Sequence, residues 1–257
     1  MSILNKYLSG IILILIVIAC TRLNPQNETS TPISHTSWDT LLQRHVNSLG
    51  LVNYKGFIND SIALNQYLKL LTKNTPNNSW TESEQLAYWV NFYNAFTVKL
   101  ITNHYPIKSI KDIGSGIQIP FINTPWQISF ISIDNEWYSL DDIEHNLIRK
   151  NFAEPRIHFA LVCAAVSCPT LRNEAYRPDL LESQLNNQAI LFLSDTSKNK
   201  ITEEHIEISK LFRWYKNDFT TATSLISYLN QYVPFAINEN ADIEYLEYNW
   251  NLNEKTN

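Results

Sequence analysis

The chain has 257 residues, with 20 Lys and Arg against 25 Asp and Glu, 44% hydrophobic residues and 18% charged. An apolar share close to the globular norm excludes a disordered chain, and only five glycines exclude collagen-like repeats and argue against a glycine-rich phosphate loop. A formal net charge of −5 gives no basis for a polyanionic partner, so nucleic acid is not expected.

Residues 1–19 read as a signal peptide. Lys6 supplies positive charge, and Leu8 to Ala19 is an apolar run too short to span hydrocarbon as a helix. The run ends in Val17-Ile18-Ala19-Cys20, which resembles the lipobox of bacterial lipoproteins. That resemblance implies cleavage before Cys20 and lipidation of its thiol and amino group with palmitate-like chains. The acyl chains would hold the protein stably on a membrane. The expected location is extracytoplasmic and lipid-anchored in the cell envelope. Thr21 after the cysteine favours the outer membrane, facing the periplasm or the cell surface. Residues 20–36, rich in Asn, Thr, Ser and Pro, read as the lipidated cysteine and a flexible tether.

Residues 37–250 contain no second linker or repeat and are expected to form one α+β domain, with 251–257 as a polar tail. The spacing predicts a helix capped by Ser37 with Trp38, Leu41, Leu42, Val46 and Leu49 inward. Another starts at Asp60 and carries Leu64, Leu68 and Leu71. Thr81 and Glu84 form a capping box for a helix bearing Leu86, Trp89, Val90, Tyr93, Phe96 and Leu100, which Pro106 ends. Trp126, Ile128 and Phe130 alternate as a strand that Asp134-Asn135 turns back through Trp137 and Tyr138. Ser139 and Asp142 open a helix with Leu140, Ile143 and Leu147 inward, and Pro178 one with Leu181, Leu185, Ala189 and Phe192 inward. Ile206 to Ile208 and Ile243 to Trp250 are further strands. Helices on the N-terminal side would thus pack on a small, mostly antiparallel sheet.

Three stretches carry polar or reactive residues that propensity does not ask for. Asn91 and Asn94 lie mid-helix and three apart, so as neighbours they can fix a facing loop or hold a ligand amide. Asp141, His145 and Arg149 stand at steps of four, so that Asp141 can orient the imidazole as the base of a triad is oriented, or form only an exposed charge ladder. Around Arg156 to Pro169, His158, Cys163 and Cys168 sit in an apolar run. One straight strand over 157–163 would point His158 and Cys163 to opposite faces and exclude that dyad, leaving Cys168 with His145 or His158. Pro169 holds Cys168 toward extended backbone, at the end of its element. The two thiols admit a disulfide, two inert buried cysteines, a reactive thiol or metal ligation. Five residues apart on an unbroken helix is too far for a disulfide, so the backbone would have to bend. No zinc spacing, Walker A loop, dinucleotide fingerprint or nucleophile elbow is present, so no cofactor and no metal are expected.

The ordered motifs LAYWVNFYNAF, SLDDIEH, RIHFALVCAAVSCPTL, ISKLFRWY and YLEYNW resemble domain-of-unknown-function family 547, from about residue 80 to 250 with a weaker lead-in at Val52-Asn53-Tyr54. The resemblance implies that Asn91, Tyr93, Asn94, Glu144, His145, His158, Cys163, Cys168 and Pro169 are the characteristic positions, and implies no substrate.

The expected function is that of a binding or assembly module at the envelope. Asn91, Tyr93, Asn94 and Glu144 would hold a ligand, and the aromatic surplus would line a groove for peptide, glycan or an envelope protein. The alternative is a thiol-dependent hydrolase or acyltransferase, with Cys168 or Cys163 as nucleophile, His145 or His158 as base and Asp141 or Glu144 as orienter.

Overall fold

The computed structural model describes residues 25, 27–114 and 124–255. Cys20 and the signal segment lie outside the described residues. Helices α1 (Thr36–His45), α2 (Tyr54–Asn59), α3 (Ser61–Lys73) and α4 (Glu82–His104) build the first half. Helix α4 is the axis of the fold. Its capping box forms as expected, with Thr81 N–H donating to Glu84 at 2.7 Å and Glu84 N–H donating back to Thr81 Oγ1. From Leu86 to Ile101 it is buried on almost every face, so it is a core helix and not an amphipathic one. It ends at His104, before the cis Tyr105–Pro106 bond.

Two expected caps are corrected. Ser37 lies inside α1, whose N-cap is His35, and the His35 ring meets the Tyr67 hydroxyl at 2.7 Å. Asp60 precedes α3 without capping it, because its carboxylate accepts from Arg44 Nη1 at 2.6 Å and lies 2.7 Å from His45 Nε2. Leu49, expected inward, is 70% exposed in the turn after α1.

The hairpin of β1 (Ile131–Ile133) and β2 (Glu136–Tyr138) turns at Asp134-Asn135 as expected. Both turn residues have positive φ, the conformation that matches the twist of a two-residue hairpin. The strand begins later than expected, since Pro125–Gln127 takes a 3₁₀ turn. A π-helix (Asp142–Ile148) follows, then α5 (Ile157–Ala160) and α6 (Leu181–Ser194). Beyond them come β3 (Lys200–Ile201), β4 (His205–Ile208), α7 (Leu211–Trp214), α8 (Lys216–Phe219), α9 (Leu225–Leu229) and β5 (Asp242–Tyr245). Strand β4 pairs antiparallel with β3 and parallel with β5. The fold is α+β as expected, with two small sheets in place of one. Strand β5 stops at Tyr245, short of the expected Trp250. The second sheet packs with α6 to α9 around Phe159, Phe192, Phe212 and Phe219.

Both expected ends of the domain move outward. Asn27 Nδ2 donates to Lys73 O, Ser30 Oγ donates to Thr75 O, and Trp80 Nε1 donates to Ser30 O, so the segment expected as tether is docked from Asn27 onward. At the other end, Asn251, Leu252 and Glu254 bridge to Ser109, Ala165 and Val52. Leu252 and Asn253 are buried, and Asn253 accepts from the Tyr54 hydroxyl at 2.7 Å. The polar tail is therefore a strap across three distant segments, held by backbone bonding that composition does not display. Among the described residues no helix is long and apolar enough to cross a membrane.

Candidate functional site

A cavity of about 710 Å³ opens between α4, the π-helix, the 157–169 segment, α7 and residues 248–250. It is lined by Tyr93, Asp141, Glu144, His145, His158, Cys163 and Cys168. Seven of the nine expected site residues within the described chain thus converge. Asn91 and Asn94 do not line it.

Those two amides hold backbone. Asn91 donates to Tyr176 O and accepts from Tyr176 N–H, at 2.8 and 3.0 Å. Asn94 donates to Ala160 O and accepts from Val162 N–H, at 2.9 and 3.0 Å. Each amide satisfies a donor and an acceptor of a buried loop that has no ladder partner there. Asn94 thereby fixes the backbone one residue before Cys163. Of the two expected roles, fixing a facing loop is the one the structure shows, and ligand binding is corrected on the ground that each amide is spent on backbone and neither lines the cavity.

The π-helix supplies the second wall. The expected element was an α-helix, and its Ser139–Asp142 start is present, with Ser139 Oγ donating to Asp142 at 2.7 Å. From Asp142 the turns widen, and Arg149 N–H reaches Glu144 O five residues back. Such wide turns are rare in proteins and frequent at functional sites. Glu144 is buried, and its Oε1 has no hydrogen-bond partner. Burial first, then the neighbouring Glu144 charge, holds the Asp141 carboxyl above the usual range despite the pull of His145.

The expected Asp141–His145 orienting bond is absent. Asp141 Oδ1 is 3.9 Å from His145 Nε2, beyond hydrogen-bond reach. Glu144 Oε1 is likewise 3.9 Å from His145 Nδ1. Instead Arg149 Nη1 stands 3.0 Å from His145 Nδ1. A guanidinium only donates, so Nδ1 is the acceptor and the proton of the neutral ring sits on Nε2. His145 is thus set up as a donor.

His158 spends its Nε2 proton on a carboxylate. Its Nε2 lies 2.7 Å from Asp218 Oδ2, and the ring stacks on Tyr215 with centroids 3.8 Å apart. Arg149 grips the same carboxylate through Nε and Nη2 at 2.7 and 2.8 Å. Burial pushes the Asp218 carboxyl up, but His158 and Arg149 outweigh it and hold it well below the usual range. An ionised carboxylate only accepts, so Nε2 carries the proton of neutral His158 and Nδ1 is its basic nitrogen. The orienter that sequence reasoning sought at Asp141 or Glu144 is Asp218, three residues after the end of the ISKLFRWY motif.

The segment leading to the thiols is a short helix and then extended chain, not a strand. Alternation therefore does not separate His158 from Cys163, and the exclusion of that dyad falls. Ala164 adopts φ +61, a left-handed turn that brings the cysteines together. Both are free thiols, with sulfurs 2.8 Å apart. Cys163 donates its S–H and its N–H to Cys168 Sγ, and the Tyr248 hydroxyl meets Cys163 Sγ at 3.3 Å. Burial pushes the Cys163 thiol well up. Burial acts on Cys168 too, but the two donors from Cys163 prevail and hold that thiol below its ordinary value. Cys168 is the sulfur favoured as thiolate.

Trp126, Trp214, Tyr248 and Trp250 line the cavity as one cluster of touching rings. Tyr248 and Trp250 have centroids 4.5 Å apart, and Lys111 Nζ lies 3.9 Å over the Trp250 ring. Among the described residues no three His, Cys, Asp or Glu side chains converge tightly enough to hold a metal ion.

Residues 77–193 match the family model described as "Protein of unknown function, DUF547". The DUF547 match covers less than half of the chain and includes Asn91, Tyr93, Asn94, both imidazoles and both thiols. Asp218, Tyr215, Tyr248 and Trp250 lie beyond the DUF547 segment and complete its cavity. No curated protein and no solved structure matches the chain.

Proposed function

We propose that the cavity is the active site of a thiol-dependent acyl-transfer or hydrolytic enzyme. The observation that carries this reading is the convergence of a donor-stabilised thiol, Cys168, and a carboxylate-held imidazole, His158, on one concave site. In this reading His158 Nδ1 takes the proton of the Cys168 thiol, and the thiolate attacks an acyl carbon and forms a thioester as the leaving group departs. His145, with its proton on Nε2, donates to the developing oxyanion. His158 Nδ1 gives the proton it took to the leaving group and later takes one from the incoming water or acceptor, returning it to the Cys168 sulfur when the thioester breaks. Asp218 holds the His158 tautomer throughout.

The experiment is incubation of the protein with p-nitrophenyl acetate, followed by peptide mapping. The expected result is acetyl on Cys168 and release of p-nitrophenol that Cys168→Ala and His158→Ala abolish. Equal release by the parent protein and Cys168→Ala, with no acylated cysteine, would overturn it. The aromatic wall favours a second reading, a binding module whose cavity takes a planar or sugar-like group. Failure of acylation together with saturable quenching of tryptophan fluorescence by a peptide or glycan would select it.

We also propose that the chain is a lipoprotein of the cell envelope, anchored through Cys20. The support is the signal-like run and the lipobox-like Val17-Ile18-Ala19-Cys20. Metabolic labelling with a palmitate analogue, lost in Cys20→Ser, is the expected outcome; an unlabelled protein in the soluble fraction would overturn it.

A further inference from the structure

We propose that Cys163 and Cys168 are a reversible oxidation site, closed to a disulfide by a small peroxide. The step takes the proposed nucleophile out of use, and in that consequence alone it rests on the enzymatic reading; the oxidation itself stands on the thiol geometry.

Three features argue for it. The sulfurs are already 2.8 Å apart, so closure to a bond of about 2.0 Å asks for a shift well under the size of an atom. The intervening loop is shaped for this approach, since Ala164 takes a conformation that L-residues other than Asn and Asp rarely adopt. The loop is also held in place from outside. Asn253 N–H donates to Ala164 O, Val166 N–H to Asn251 O, and Ser167 N–H to Asn249 O, at 3.1, 2.8 and 3.2 Å. A loop clamped along one side keeps the thiols facing each other and spares the chain the ordering that closure otherwise requires.

The chemistry follows from the asymmetry of the pair. Cys168 is the sulfur that receives both donors, and it is the one that reacts first. Its thiolate attacks one oxygen of hydrogen peroxide; the S–O bond forms, the O–O bond breaks, and hydroxide leaves. The hydroxide takes the proton of Cys163 and becomes water. Cys163 thiolate then attacks the Cys168 sulfur; the S–S bond forms and a second hydroxide leaves. Two thiol sulfurs are oxidised and one peroxide is reduced. Peroxide is small enough to use the cavity, which reaches both cysteines although Cys168 is only 3% exposed. The Tyr248 hydroxyl on Cys163 is placed to relay the proton that the resolving thiol gives up.

The test is brief treatment of the reduced full-length protein with hydrogen peroxide, then alkylation and peptide mapping of both cysteines. The expected result is joint loss of alkylation at Cys163 and Cys168, a linked peptide lighter by two hydrogens, and full recovery on reduction with dithiothreitol. Cys163→Ser is expected to stop at a dimedone-reactive sulfenic acid on Cys168. Cys168→Ser, compared at matched thermal stability, is expected to leave Cys163 alkylatable. Two alkylatable cysteines after treatment, or oxygen added to one sulfur of the parent protein with no linked peptide, would overturn the proposal. Because these readouts are masses and not turnover, a failed acylation assay leaves them informative.

Discussion

His158 donates to Asp218 across 2.7 Å, and the same carboxylate is gripped by Arg149, whose other nitrogen sets the tautomer of His145. One guanidinium therefore contacts one imidazole directly and braces the carboxylate that holds the other. Asp218→Asn removes the acceptor that fixes the His158 proton on Nε2, because an amide can present its NH₂ there instead. The expected outcome is a fall in turnover of roughly a thousandfold in the acyl-transfer assay, with Cys168 still alkylated by iodoacetamide. For stability the sign is that of a depressed carboxyl. Its contribution is fully present above the ordinary carboxylate pKa of 3.8 and is lost as pH falls through the lower folded value. Urea melts of the parent and Asp218→Asn at descending pH check this: the two curves should converge only in strong acid.

Burial lowers the His35 pKa from 6.5 to about 4. Its ring nitrogen lies against the Tyr67 hydroxyl, deep between α1 and α3. The unfolded chain binds a proton between those two values while the folded chain does not, so stability is full above pH 6.5 and declines as pH falls toward 4. The loss over that window corresponds to about 3 kcal/mol. Chemical denaturation at pH 7 and pH 4.5 measures it, and His35→Gln is expected to flatten that part of the profile. A profile unchanged by the substitution would assign the acid sensitivity elsewhere.

Asn94→Asp keeps the shape and removes the donor to Ala160 O while placing a carboxylate in the core. Leaving a buried backbone carbonyl unpaired costs about 1–3 kcal/mol, and the desolvated charge adds to that. The expected midpoint in urea falls accordingly, and Cys168 alkylation loses its low-pH onset because the chain entering Cys163 is no longer fixed. Asn91→Asp is expected to destabilise by a similar amount and leave the thiol profile in place, since its loop carries Tyr176 and not a cysteine.

The rate of Cys168 alkylation should rise with pH through a midpoint below that of an ordinary thiol. Cys163→Ala deletes the S–H donor while leaving the N–H, so the midpoint moves up and part of the shift survives. Iodoacetamide labelling of the Cys168 peptide from acid to alkaline pH reads both curves. A Cys163→Ala midpoint equal to that of the parent would assign the stabilisation to other groups.

Much of this was legible in the residue order, and what was not has identifiable causes. The capping box at Thr81 and Glu84, the Asp134-Asn135 turn, the inward face of α1 from Trp38 to Leu42 and that of α6 are local patterns, and each forms where spacing places it. The imidazoles and thiols stood out because polar groups in apolar runs need a reason, and they do share a cavity. Asn91 and Asn94 stood out for the same reason, yet which partner such an amide takes is decided by loops 66 to 85 residues away. The widened helix at Asp142–Ile148 has the same apolar spacing that an α-helix would show, so periodicity does not distinguish them. Asp218 and Tyr248 look like ordinary surface and strand residues until tertiary packing brings them to His158 and Cys163. The signal available was that Asp218 closely follows ISKLFRWY and that Tyr248 lies within YLEYNW.

The strap formed by residues 249–254 has a consequence for biogenesis. Tyr248 and the clamp on the 164–167 loop come some 85 residues after Cys163 in the chain. During synthesis the cysteines emerge well before their hydroxyl partner, their aromatic wall and the bonds that hold them face to face. Until the final stretch docks, the nascent polypeptide's sulfhydryls lack the Tyr248 hydroxyl and the backbone bonds that clamp their loop.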